Sequence, residues 1–63
     1  MEITDREQRI LNLLAEGMTK AIIKDSLQIS YVTLEKDLAV LKGKFNAFNI
    51  PNLIHLATKQ GVI

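Results

Sequence analysis

Leu34, Leu38, Leu41 and Phe45 recur at spacings of four, three and four residues, which is the repeat of one continuous helical stripe. Ser30 precedes the stripe as an N-cap, so the pattern predicts a helix from Tyr31 to Phe45. A helix apolar along one edge has to bury that edge, and the chain has only 63 residues with which to cover it. The covering elements must therefore be short and close in sequence. They also read as helices.

Thr4-Asp5-Arg6-Glu7 is a capping box, in which the threonine oxygen takes a backbone N–H and the glutamate reaches back to the cap. Asp5 and Glu7 suit the positive end of the helix dipole. Ile10, Leu11, Leu13 and Leu14 supply the buried side, and Gly17 closes this first helix. Thr19 caps a short second helix whose apolar face is Ile22, Ile23 and Leu27, with a tight turn at Gln28-Ile29. Asn46 to Asn49 breaks the pattern, and Pro51 sits in the first turn of a fourth helix. That helix carries Leu53, Ile54, Leu56 and Ala57 and ends at Gly61. Nothing reads as a strand, so the expectation is an all-α, four-helix domain occupying residues 1–63.

Without cysteine there is neither a disulfide nor a thiolate metal site. The longest apolar run is four residues, Leu38 to Leu41, too short for a membrane span, and no signal peptide is legible at the start, so the expected compartment is the cytoplasm. The single histidine, His55, has no metal-ligating company, and Ser26, Ser30 and Thr33 have no general base beside them. An enzyme is not expected, nor is a cofactor. The formal charge is +1, but it is unevenly spread. Residues 20–44 hold Lys20, Lys24, Lys36, Lys42 and Lys44 against Asp25, Glu35 and Asp37, whereas residues 1–19 are net acidic. Charge alone does not separate a binding face from an ordinary solvated one.

A short capped helix, a three-residue turn and a longer capped helix make a helix-turn-helix unit, whose second helix commonly enters the major groove of DNA. At about 100° per residue, the side of the third helix opposite its leucines carries Val32, Lys36, Ala39 and Gly43, flanked by Glu35, Thr33 and Val40. Lys36 can donate to guanine O6 and N7, Glu35 can accept from cytosine N4, and Ala39 can touch a thymine methyl. The small Ala39 and Gly43 allow close approach to a groove wall.

With those residues in place, the chain resembles the LuxR-type DNA-binding domain, also called the FixJ or GerE type. The family opening, L-T-x-R-E-x-x-V-L-x-L-L-A-E-G-L-S, is similar to Ile3-Thr4-Asp5-Arg6-Glu7, Ile10-Leu11 and Leu13-Leu14-Ala15-Glu16-Gly17-Met18-Thr19. The middle pattern, I-A-x-x-L-x-I-S-x-x-T-V-[EK]-x-H, is met by Ile23, Leu27, Ile29-Ser30 and Thr33-Leu34-Glu35. Lys44 matches a family lysine near the end of the recognition helix. Ala57, Gly61, Val62 and Ile63 match the closing A-x-x-x-G-[LV]-I. The resemblance implies a winged-helix-like superfold without the wing, serving transcription regulation by sequence-specific binding to double-stranded DNA. It places Glu35, Lys36 and Ala39 against bases and Thr33 and Lys44 against phosphates. Lys20, at the start of the second helix, is a further phosphate candidate. The resemblance also implies a homodimer through the fourth helix on a palindromic operator, for which Phe48, Ile50, Ile54 and His55 are the contact candidates.

Three departures from the family pattern stand out. Asp37 replaces the usual histidine, and an acid there would repel phosphate. Gly43 lies inside the third helix, where it would loosen the helix or end it early. Phe48 stands where a polar or basic residue is common. Asp37, Phe48 and the near-zero net charge motivate an alternative: a protein-interaction module of the same fold that pairs with a larger transcription regulator and does not bind DNA itself.

Overall fold

In a computed structural model that describes residues 1–63 throughout, four helices follow one another in the order α1 (Asp5–Ala15), α2 (Lys20–Leu27), α3 (Tyr31–Phe45) and α4 (Ile50–Lys59). Each begins where a side chain satisfies a free backbone N–H. Thr4 accepts from the Glu7 N–H, Thr19 from Ile22, Ser30 from Thr33 and Asn49 from Asn52. The capping box is complete, because the Thr4 N–H donates back to Glu7 Oε1 at 2.9 Å. Pro51 sits in the first turn of α4, where its missing N–H removes no helical bond.

The helix ends use a left-handed residue. Gly17 and Gly61 take φ +85° and +76°, while Gln28 and Asn46 take the same region at 55° and 56°. At each end the residue after the left-handed one bonds back into the last turn. The Met18 N–H reaches Leu13 O at 3.0 Å, Ile29 reaches Lys24 at 3.1 Å, Ala47 reaches Lys42 at 2.8 Å and Val62 reaches Ala57 at 2.9 Å. The turn between α2 and α3 is thus Gln28-Ile29-Ser30, with a cap closing one helix and another opening the next.

α3 packs against α2 and α4, and α1 packs against α2 and α4, so the core lies between all four helices. It consists of Ile10, Leu11 and Leu14 from α1, Ile23 from α2, Leu34, Leu38, Leu41 and Phe45 from α3, and Leu53 and Ala57 from α4. The C-terminal tail closes over it, with Val62 and Ile63 packed against the cluster and Val62 O accepting from Gln8 Nε2 at 2.8 Å. No helix is long and apolar enough to cross a membrane.

Two expectations are corrected. Ile22 is 46% exposed and belongs to the surface, not to the apolar face of α2. In so short a helix the buried stripe is only as wide as the i, i+4 pair Ile23 and Leu27, and Ile22 falls one step around from it. Gly43 does not end α3, which runs on to Phe45. Leu41 and Phe45, buried on either side of Gly43, hold the last turn against the core and outweigh the glycine's conformational freedom.

Candidate nucleic-acid interface

α3 presents two opposite sides. Leu34, Leu38 and Leu41 are at most 2% exposed, while Val32, Glu35, Lys36, Ala39, Val40 and Gly43 are all exposed. Nothing in the chain covers Lys36 or Ala39, and Lys36 has no ion-pair partner. A β-carbon built on Gly43 would meet no atom within 4 Å, so the surface there is a shallow step of backbone between side chains. This face is convex, since it is one side of a helix, and that shape suits a groove better than a pocket.

The two edges of the face are electrostatically organised. On the α2 side, Lys20 Nζ lies 3.0 Å from Glu35 Oε1, with both side chains about half exposed. The pair joins the start of α2 to the outward side of α3. It is exposed and worth about 0–1 kcal/mol, so either partner can exchange it for a ligand group at little cost. On the α1 side, Asp37 is paired with Arg6 of α1: Arg6 Nε lies 2.7 Å from Oδ2 and Arg6 Nη2 donates to Oδ1 at 3.1 Å. The carboxylate that was expected to repel phosphate is therefore covered by a guanidinium. Oδ2 is close to Nε but off its N–H axis, so it is ion-paired without an aligned hydrogen bond.

Lys44 is turned toward α1. Its ammonium donates to Glu7 Oε1 at 2.7 Å and to the Glu2 carbonyl at 2.9 Å. An ammonium has three N–H groups, so one is left for an outside acceptor. Glu7 is 5% exposed and is the one buried charged residue. Burial pushes its carboxyl pKa up, but the hydrogen bond from Lys44, the Thr4 N–H and the Lys44 charge together hold it below the ordinary value of 4.5. Sequence reasoning assigned Glu7 to the cap alone. Its pairing with Lys44 is a long-range contact that no local pattern reveals.

Thr33 is half-buried near the start of α3, and its hydroxyl accepts from Ser30 Oγ at 3.1 Å. Beside it Tyr31 is 47% exposed, with the Lys24 ammonium 5.4 Å from the ring centroid. Neither Tyr31 nor Lys24 was singled out from sequence as a surface feature.

The fourth-helix candidates divide. Ile50 and Ile54 are only half exposed, because both pack partly on the core. His55 is exposed, and Phe48, just before the Asn49 cap, is 81% exposed, the largest uncovered apolar side chain by fraction. No cluster of three or more His, Cys, Asp or Glu side chains is placed to hold a metal.

A family model described as bacterial regulatory proteins, luxR family, matches residues 1–57. The methanol utilization control regulatory protein MoxX of Paracoccus denitrificans is 40% identical over 52 residues, which cover 82% of this chain but 23% of that protein's length. No solved structure matches the chain.

Proposed function

The chain belongs to the luxR family of bacterial regulatory proteins, and on that premise we propose that it is a sequence-specific DNA-binding module of transcription regulation, with α3 as the recognition helix. The observation that carries this reading is the division of α3: its leucine side is sealed in the core, and its Lys36–Ala39–Gly43 side is uncovered. Lys36, Glu35 and Ala39 read base edges, with Lys36 donating to guanine and Glu35 accepting from cytosine. Lys20, Thr33 and the remaining N–H of Lys44 hold phosphates on the two sides of the groove. Glu35 and Lys20, paired in the free domain, exchange that weak ion pair for a base and a phosphate when DNA arrives.

Two copies joined through α4 would set their recognition helices about 34 Å apart, one turn of DNA, on a two-fold operator. Phe48 and His55 are the exposed groups available for that contact, with the outer edges of Ile50 and Ile54 beside them. The compartment of such a module is the cytoplasm, and a larger regulator carrying further domains is its natural setting. The 81% exposure of Phe48 is the one observation that favours the alternative, a module that pairs with another regulator and leaves DNA alone.

Selection of bound sequences from a random duplex pool at stated salt identifies the operator. On that operator, Lys36→Glu is expected to abolish the gel shift with an unchanged melting temperature. An unchanged affinity rules out this docking of α3. The alternative predicts no duplex binding at any salt, together with a partner contact that resists salt, since DNA binding weakens steeply as salt rises.

A further inference from the structure

Thr33, Asp37, Val40 and Lys44 follow one another along α3 at steps of four, three and four, and so form one edge of its outward face. That edge borders α1, because Asp37 and Lys44 reach Arg6 and Glu7 there. When the outward face sits in a groove, such an edge runs beside one line of phosphates. A bare acid at its centre would oppose binding.

The structure puts a cation at that place. The Asp37 side chain is 14% exposed and lies beneath that of Arg6, which is 50% exposed. Arg6 grips the carboxylate side-on, through Nε and Nη2. Only one of the five guanidinium N–H groups, on Nη2, makes an aligned hydrogen bond to the carboxylate, while Nε is ion-paired beside it, so donors remain for an outside acceptor. The guanidinium is thus held on the α1 side of α3 by Asp37 while half of the Arg6 side chain stays exposed. Arg9 stands one turn along α1 with no ion-pair partner, and Arg6, Arg9, Asp5 and Leu27 line a shallow cleft of about 230 Å³.

We propose that Arg6, held by Asp37, is a phosphate contact on the α1 edge of the recognition face, an inference that rests on the DNA-binding reading above. The ligand is the phosphodiester backbone of duplex DNA. Asp37 is then a positioning residue for Arg6 and does not repel the backbone.

The test is fluorescence anisotropy of the whole chain with a labelled random-sequence duplex across a salt series. Non-specific binding is enough, because phosphate contacts supply it. Arg6→Gln is expected to weaken binding about tenfold and to lower the slope of log affinity against log salt by about one, the loss of one phosphate contact. Lys59→Gln removes the same charge from the far end of α4 and should leave the slope unchanged. Asp37→Asn should give no gain, because losing the hold on Arg6 offsets removal of an acid that is already covered. Circular dichroism melts confirm that each variant is folded. An Arg6→Gln slope equal to that of Lys59→Gln overturns the proposal, as does a gain for Asp37→Asn as large as the Arg6→Gln loss. A parent chain without salt-dependent duplex binding overturns both this inference and the DNA-binding reading, whereas parent binding with an unaffected Arg6→Gln overturns this inference alone.

Discussion

Glu7→Ala is expected to remove a large part of the stability of this domain. Its Oε1 accepts from the Thr4 N–H at 2.9 Å and from Lys44 Nζ at 2.7 Å, and the side chain is 7% exposed. The cap bond is worth about 1 kcal/mol, and the charge-assisted bond about 1.5–3 kcal/mol. Lys44 is 28% exposed and can turn its ammonium to water, so the full cost of a stranded buried cation does not arise. The loss is then about 3 kcal/mol, against a total of roughly 3–9 kcal/mol for a domain of this length. At about 4–8 °C per kcal/mol the melting temperature should fall by about 12–24 °C, read by far-UV circular dichroism at neutral pH.

The same site makes a second, independent readout in pH. The folded-state pKa of Glu7 is lowered from 4.5, so its contribution is complete above that value and is lost as pH falls through the lower folded value. Glu7→Ala should lack this part of the acid limb. Lys44→Met should flatten it, because burial then remains as the leading influence on the carboxyl. A fall in melting temperature under about 4 °C for Glu7→Ala, together with an acid limb unchanged from the parent, would refute the reasoning and reduce the pair to an ordinary surface contact.

Gly43→Ala should stabilise the domain by about 1 kcal/mol, since the position is helical and the added methyl has open space. If α3 approaches a groove wall closely there, the same substitution weakens DNA binding while the melting temperature rises, and a parallel rise in both would show that Gly43 stands clear of DNA. Phe48→Ser should leave the melting temperature of the monomer nearly unchanged because the ring is exposed. Sedimentation should show the variant failing to self-associate where the parent does, and equal self-association would remove Phe48 from the contact.

Local chemistry made most of the architecture readable. The caps at Thr4, Thr19 and Ser30 are interactions between residues three apart at the start of each helix, the proline of α4 is a local signal of the same kind, and the stripe from Leu34 to Phe45 is a local repeat that shows which side of α3 the other helices must cover. The outward position of Lys36 and Ala39 followed from the same geometry, because a helix whose leucine side is buried must turn its opposite side out. Burial was less legible at the margins. Ile22 has the chemistry of a core residue, but the inward side of α2 is taken by Ile23, which is buried, and Leu27, which is partly buried, and Ile22 falls outside it.

What the sequence determined by itself is therefore the set of helices, their ends and the face that α3 turns outward. The tertiary structure alone decided how the charges are spent. Asp37 reads as an isolated acid until α1 brings Arg6 onto it across 31 positions of chain. Lys44 reads as a free cation until Glu7, 37 positions away, accepts one of its N–H groups and the Glu2 carbonyl another. Ion pairs between helices depend on how those helices pack, and a one-dimensional pattern carries no record of which surfaces will meet.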